Sequence, residues 1–77
     1  MDWQERLTSD PNVGHGRLCV KRTRVMVSVI LDTLAEGESF AEIMRGDAIE
    51  REDIEACLHD AAEQARDRVL ALIPGVA

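Results

Sequence analysis

Aromatic residues and long apolar runs are both scarce in this sequence of 77 residues. Aromatic residues make up 3%, with one Trp, one Phe and no Tyr, which argues against a base-stacking surface for single-stranded nucleic acid. The longest uncharged stretches, 25–31 and 69–77, are far shorter than the roughly 20 apolar residues of a membrane-spanning helix. The first residues lack the basic and apolar pattern of a secretory signal, so we expect a cytoplasmic protein.

Two cysteines are too few for the disulfide framework of a small secreted domain. Together with His15 and His59, Cys19 and Cys57 could in principle supply four zinc ligands. However, Cys57 and His59 are two positions apart on a predicted helix and point in different directions. Cys57 also adjoins apolar positions, as a small core residue does. We therefore expect reduced cysteines and no metal or other cofactor.

The sequence contains no arrangement of residues that is typical of catalysis. Ser9, Ser28 and Ser39 lie at predicted turn or cap positions, and neither histidine has a motif context. The segment 14–16, Gly-His-Gly, is too short for a glycine-rich loop that binds phosphate. We therefore predict a binding protein and not an enzyme.

Length and charge indicate one small domain with two different surfaces. A chain of this length buries only about 60% of the surface that it exposes when unfolded, so we expect it to self-associate. Residues 1–25 contain five basic and three acidic side chains, whereas residues 26–77 contain four basic and twelve acidic ones. We divide the single domain 1–77 into a basic, β-rich segment (1–27) and a helical segment (28–73). Small side chains on the last helix would let a second chain approach closely: Ala56, Ala61, Ala62 and Ala65.

Turn-forming and branched residues predict short strands in the first segment. Residues 8–12 have the composition of a turn, and Gly14 and Gly16 offer a second place where the backbone can reverse. Val25 and Val27 alternate around Met26, as residues in a strand do.

The second segment shows the start and stop signals of two helices. A first helix is predicted to begin near Ser28, which could cap it, and to end at Gly37. A second is predicted to begin at the capping box formed by Ser39 and Glu42 and to end at Gly46. The apolar residues of the first helix recur with helical spacing: Val27, Ile30, Leu31 and Leu34.

A third helix is predicted from about Glu50 into the low seventies, where Pro74 and Gly75 end it. Its apolar residues are spaced as one buried face: Ile54, Leu58, Ala61, Ala65, Val69 and Leu72. The predicted fold is therefore mainly α, a helix-turn-helix-like domain of three helices with a short N-terminal β-hairpin.

A cluster of four cations is the first candidate binding site. Arg17, Lys21, Arg22 and Arg24 occur within eight residues that contain no acid. On a strand, Arg22 and Arg24 would project from the same face, and a basic β-ribbon can contact DNA phosphates and guanine edges. The alternative is a solvated edge strand whose charges prevent aggregation.

The third helix is the second candidate, and its acidic charge favours a protein partner over DNA. Between Glu50 and Arg68 it holds seven acids and three arginines, and this excess of acid repels phosphates. A partner with a positive groove would relieve repulsion between these acids. The alternatives are that the acids only face water and that the apolar residues close a dimer core. The predicted partner-binding residues are Glu52, Glu55, Glu63, Val69, Leu70, Leu72 and Ile73.

Several short segments carry a family resemblance over roughly residues 2–66. They are 2–7, 9–13, 16–17, 19–21, 23–25, 27–34, 42–44 and 52–58. In this order and spacing they resemble the small prokaryotic family called domain of unknown function 433, whose members include VapB-type antitoxins and antitoxin-like proteins.

The chain departs from that family at several positions. The family usually has glycine where His15 and Arg22 stand, and proline where Leu18 and Met26 stand. It also has a tyrosine-proline pair near residues 45–48, where this chain is about one residue shorter. Losing the glycine before Thr23 predicts a changed turn, and the same change adds a cation to the basic cluster.

The resemblance implies a helix-turn-helix antitoxin. Such proteins are encoded beside a PIN-like toxin nuclease, neutralise it by direct binding and often bind their own operator DNA. The alternative from another class is a structural adaptor, a small subunit that docks on a larger protein assembly through its acidic C-terminal helix and has no DNA role.

Overall fold

The computed structural model describes residues 2–72, with side chains described for 2–12 and 16–66. A short 3₁₀ helix and a two-stranded antiparallel hairpin precede three α-helices, so the predicted mainly α fold is confirmed. The elements are the 3₁₀ helix Trp3–Arg6, β1 Leu7–Asp10, β2 Val13–Val20, α1 Val27–Ala35, α2 Phe40–Asp47 and α3 Arg51–Leu72.

The hairpin is regular at its base and irregular at its tip. Leu7 pairs with Val20 and Ser9 with Leu18, but Asp10 pairs with Val13, so residues 14–17 form an irregularity in β2. The chain reverses at residues 11–12, where the Asn12 N–H donates to Asp10 Oδ1 at 2.9 Å. The predicted turn over 8–12 was therefore too long, and the second reversal predicted at Gly14 and Gly16 was wrong, since both residues belong to β2.

Pairing with the hairpin decides where α1 begins. Met26 is the N-terminal cap residue and makes no side-chain cap hydrogen bond, so the cap predicted at Ser28 was wrong. Met26 forms an isolated bridge with Cys19, and the Val20 N–H donates to the Val25 carbonyl at 2.9 Å. These contacts hold the chain against β2 up to the start of the helix. In place of the strand predicted around Met26, the structure has a single bridge between Met26 and Cys19. The predicted end is confirmed, because Gly37 follows α1 with φ +97°.

The capping box of α2 forms as predicted. Ser39 Oγ accepts the Glu42 N–H at 3.2 Å, and the Ser39 N–H donates to Glu42 Oε1 at 3.2 Å. These hydrogen bonds from Ser39 lower the pKa of Glu42 below its ordinary value. The helix ends at Asp47, one residue later than predicted, because Ala48 takes the left-handed conformation with φ +55°.

The hydrophobic core lies where the three helices meet the hairpin. Val27 and Ile30 are buried, and Leu31 and Leu34 pack against the core, so the predicted face of α1 is confirmed. Cys57 is fully buried and is a core residue, as expected. The largest fully buried side chains are Ile30, Ile43, Ile54, Val20, Cys19 and Cys57.

The face predicted to be buried on α3 was partly wrong, although Ala61, one of its members, is half-buried. Ile54 is fully buried, but Leu58 is 41% exposed and Ala65 is exposed, and the side chains of Val69 and Leu72 lie outside the described residues. The correct buried set is Asp53, Ile54, Ala56 and Cys57. Periodicity identified an apolar side of this helix, but the core contacts a neighbouring side.

Two contacts with the 3₁₀ helix explain why α3 turns a different side towards the core than the one that the sequence predicts. Arg6 Nη1 donates to Asp53 Oδ1 at 3.0 Å, while Asp53 Oδ2 accepts the Glu50 N–H at 2.9 Å. The rings of Trp3 and His59 stack with centroids 5.8 Å apart. The 3₁₀ helix thus lies along α3 on the side of Asp53 and His59, and Leu58 is left on the outside.

Candidate binding surfaces

Four consecutive residues, Lys21–Arg24, form a tight turn that we call the basic turn. The Thr23 N–H donates to the Val20 carbonyl at 3.1 Å, and Thr23 Oγ1 donates to the same carbonyl at 2.8 Å. Thr23 Oγ1 also accepts the Val25 N–H at 3.0 Å. Arg22 adopts φ +68°, a left-handed conformation that favours glycine. The hydrogen bonds of Thr23 therefore fix the turn, although an arginine occupies its left-handed position.

The cations of the basic turn all face solvent. Lys21, Arg22 and Arg24 are exposed, and within the described part of the chain none of them forms an ion pair. Arg22 and Arg24 line the same open cavity of about 500 Å³. Both arginines therefore line one cavity, but they are carried by a turn and not by the predicted strand.

Arg17 does not belong to this cluster. It lies on β2 and lines a separate groove of about 310 Å³ with Leu18, Leu31 and Asp60. The predicted four-residue ribbon was therefore wrong in this respect, because β2 ends at Val20 and the chain turns before the other three cations.

A second cavity beside the basic turn has a mixed charge. It measures about 620 Å³, and its charged lining residues are Arg6, Lys21 and Arg22 together with Glu5, Glu50 and Asp53. Asp53 already accepts hydrogen bonds from Arg6 and from the Glu50 N–H. An anion in this cavity would lie near three carboxylates, whereas the cavity of Arg22 and Arg24 is lined by one, that of Asp10, and is the better place for a phosphate.

The predicted partner-binding acids occupy different environments on α3. Glu52 and Glu55 are half-buried, and Glu63 is exposed. Arg51 Nε lies 3.9 Å from Glu55 Oε2, and Arg66 Nη2 lies 3.9 Å from Glu63 Oε1. These arginines offset part of the repulsion that the sequence predicts between the acids. Among the apolar residues of the predicted set, Ile73 and the side chains of Val69, Leu70 and Leu72 lie outside the described residues.

An apolar line on α3, which we call the outer stripe, remains exposed. Leu58 is 41% exposed, and Ala62 and Ala65 are exposed. By position in the helix, Val69 and Leu72 continue the line, with successive spacings of four, three, four and three residues. The sequence did not reveal this surface, because most of its residues, Leu58 and Ala65 among them, also belong to the face predicted to be buried.

The candidate zinc ligands are not brought together as a metal site. Cys19 and Cys57 are buried free cysteines, His59 is exposed and stacks on Trp3, and the side chain of His15 lies outside the described residues. Within the described residues, no group of three or more potential ligands could hold a metal ion. Burial raises the pKa of Cys57 to about 12, and the nearby carboxylates of Asp53 and Asp60 add to this increase.

These elements define a small, mainly α domain of three helices and an N-terminal hairpin, with two exposed surfaces of different charge. The family model described as "Protein of unknown function (DUF433)" matches residues 7–59, and the chain belongs to this family. No curated protein and no solved structure matches the chain. Between residues 2 and 72, no helix is both long enough and apolar enough to cross a membrane.

The backbone at Arg22 has φ +68°, a conformation that glycine adopts without strain and that is unfavourable for an arginine. An exposed cation therefore stands at a strained position of the basic turn.

Proposed function

We propose that this protein is a cytoplasmic, antitoxin-like binding protein that neutralises a PIN-like toxin nuclease by direct contact. The observation that carries the proposal is the extension of α3 beyond the core. This helix has 22 residues, about 33 Å in length, yet every described side chain from residue 62 to residue 66 is exposed. A long exposed helix that carries both acidic and apolar residues is suited to binding another protein.

The acidic side of α3 supplies the charge for this contact. Glu52 and Glu63 lie about three helical turns apart and therefore on the same side of the helix. Glu63 pairs with Arg66 at 3.9 Å in an exposed geometry, and such pairs contribute little to stability. A cationic surface could therefore replace Arg66 at low cost, and complementary charge would speed its encounter with the helix.

Co-expression with the nuclease-like reading frame expected beside this gene tests the proposal. Wild-type protein should co-purify with the nuclease and inhibit it. The double variant Glu52→Arg and Glu63→Arg should bind the nuclease at least about tenfold more weakly. The matched control is Glu36→Arg and Glu38→Arg, which reverses two exposed acids outside α3 and should retain full affinity.

Two results would contradict the proposal. The first is no complex between the wild-type protein and the neighbouring nuclease. The second is a folded Glu52/Glu63 variant that retains full affinity. Capture of a larger assembly without a nuclease, with no binding to DNA, would instead indicate the structural adaptor.

A second candidate function, contact with operator DNA, is favoured by the basic turn. Arg22 and Arg24 share one cavity, Lys21 adjoins them, and Arg22 keeps its cation at a left-handed position. Strained backbone that persists at an exposed charged residue is typical of binding sites. We propose that these cations contact DNA phosphates.

The left-handed residue makes a sharp test of this candidate possible. Arg22→Gly removes the cation and relieves the backbone, so weaker binding could not be attributed to a damaged turn. Arg22→Gly with Arg24→Ala should weaken binding to the chain's own promoter and reduce the salt dependence, by about one unit of slope for each phosphate that is no longer neutralised. Arg17→Ala removes one cation from the separate groove and should change binding less. Unchanged affinity and slope in the double variant would exclude the basic turn.

A further inference from the structure

A small open cavity, which we call the Trp3 socket, lies where the 3₁₀ helix and the hairpin meet the middle of α3. It measures about 240 Å³ and is lined by Trp3, Gln4, Leu7, Leu18, Asp60 and Glu63. Sites for drug-sized ligands measure about 300–1,000 Å³. A cavity of this smaller size is suited to a single side chain of another molecule.

The Trp3 socket is negatively charged. Asp60 and Glu63 both line it, and none of its described lining residues carries a positive charge. Asp60 forms no ion pair with the described residues, and its Oδ2 accepts a hydrogen bond from Gln64 Nε2 at 2.7 Å, so the second oxygen can still accept. Glu63 lies 3.9 Å from Arg66 in an exposed pair that contributes little to stability. A cation that enters the socket would therefore meet two carboxylates that can accept from it.

The uncharged walls of the socket suit the rest of a long basic side chain. The Trp3 ring stacks on the His59 ring with an angle of 11° between their planes, which holds Trp3 against α3. Among aromatic side chains, Trp attracts a cation most strongly. Leu7 is buried and Leu18 is half-buried, so both offer apolar surface on which the methylene groups of such a side chain could pack.

We propose that the Trp3 socket receives an arginine side chain of a protein partner. Arginine fits better than lysine, because its planar guanidinium is weakly hydrated, stacks on aromatic rings and carries several donors for carboxylates. Since Glu63 belongs to both sites, this assignment rests on the proposed contact between α3 and a cationic protein. It adds an anchor to that contact, because a side chain held in a pocket contributes more to binding than the exposed charges around it.

Fluorescence of Trp3 tests the socket directly, because the chain contains one tryptophan. The full chain is titrated with the peptide acetyl-Ala-Arg-Ala-amide at constant pH and ionic strength. The emission should change saturably, with a dissociation constant on the order of 1 mM for a single anchoring side chain. The matched peptide carries citrulline, a neutral analogue of arginine with nearly the same shape, and should bind at least about fivefold more weakly.

Neutral variants test the two carboxylates. Asp60→Asn with Glu63→Gln should raise the dissociation constant of the arginine peptide at least about fivefold, because both side chains lose their charge and keep their shape. Glu36→Gln with Glu38→Gln removes the same charge from exposed positions outside the socket and should leave the affinity unchanged. Circular dichroism should show an unchanged fold, since asparagine at position 60 can still accept the hydrogen bond from Gln64.

Several results of these titrations would overturn the proposal. They are the absence of a saturable change with the arginine peptide, equal binding of the citrulline peptide, equal binding of a peptide with lysine in place of arginine, and full affinity in the Asp60/Glu63 variant.

The complex with the nuclease separates this proposal from the proposed function. Asp60→Asn alone should weaken that complex about threefold or more. An arginine peptide that binds although no nuclease complex forms would support the socket and contradict the nuclease as partner. A nuclease complex that Asp60→Asn leaves unchanged would overturn the socket as a site for the partner's arginine and leave the acidic contact of α3 standing.

Discussion

The two halves of α3 have the same backbone and opposite environments. In the first half, Ile54, Ala56 and Cys57 are fully buried, and Asp53 is held by two hydrogen bonds. In the second half, every described side chain from residue 62 to residue 66 is exposed. An amphipathic pattern therefore continues along a helix after the domain's own core has ended. The pattern shows that one side is apolar, but not which molecule covers it.

Charged residues in the two halves also differ in what they contribute. Asp53 is 9% exposed and accepts from Arg6 at 3.0 Å, with a second hydrogen bond to the backbone of Glu50. Glu63 is exposed and lies 3.9 Å from Arg66. The first arrangement joins the 3₁₀ helix to the start of α3, whereas the second is a surface pair that a partner can replace.

The rate at which a cysteine reacts with a thiol reagent should show the largest difference between the two halves of α3. Cys57 should react with a soluble thiol reagent about a thousandfold or more slowly than a cysteine introduced by Ala65→Cys, because labelling of Cys57 requires the domain to open. Raising the pH from about 7 to about 8.5 should speed labelling at position 65 by forming thiolate. Folded Cys57, with its pKa raised to about 12, stays protonated over this range. Equal labelling rates, measured by mass spectrometry, would contradict the burial of this half.

Removal of a buried side chain should give the next largest effect. Ile54→Ala should lower the free energy of unfolding by about 3 kcal/mol, because it leaves a cavity at a fully buried position. The control in the outer half, Gln64→Ala, should change it by less than about 0.5 kcal/mol. Urea denaturation followed by circular dichroism measures both. Similar decreases would mean that the two halves are equally packed.

The charged residues of the two halves can be compared in the same way. Asp53→Ala should lower the free energy of unfolding by about 2 kcal/mol, because the Glu50 N–H and the partly buried Arg6 would each lose the hydrogen bond to Asp53. Glu63→Ala should lower the free energy of unfolding by about 0.5 kcal/mol or less. Urea denaturation again gives both values. A destabilisation at Glu63 as large as that at Asp53 would show that the outer half also stabilises the single domain.

The smallest predicted effect is a stabilisation of the domain by a substitution at Ala48, just before the buried half of α3 begins. Ala48 has φ +55°, so Ala48→Gly should raise the free energy of unfolding by about 1 kcal/mol through relief of the left-handed backbone. Ala41→Gly is the control, because it places glycine inside α2 and should destabilise by about 1 kcal/mol. Thermal unfolding should therefore shift in opposite directions for the two variants. A decrease in stability in Ala48→Gly would show that the conformation at this residue is not strained.

Local signals in the sequence were interpreted correctly where the interacting atoms are close along the chain. The capping box of Ser39 and Glu42 and the glycine that follows α1 both lie where they were predicted. Ser28 failed as a cap because pairing of Met26 with Cys19, which is distant in sequence, fixed the start of the helix. Arg17 lies apart from the predicted cation cluster for a similar reason, since the hairpin register ended β2 at Val20.

The sequence alone determined the fold class, the order of the elements and the apolar side of each short helix, because hydrophobic spacing and caps act within a few residues. Tertiary structure decided which side of α3 is buried and which cations share a cavity. Those features depend on how the 3₁₀ helix and the hairpin pack, through interactions such as that of Arg6 with Asp53. No local pattern fixes the rotation of a helix about its own axis, so Leu58 could be placed correctly only from its neighbours in space.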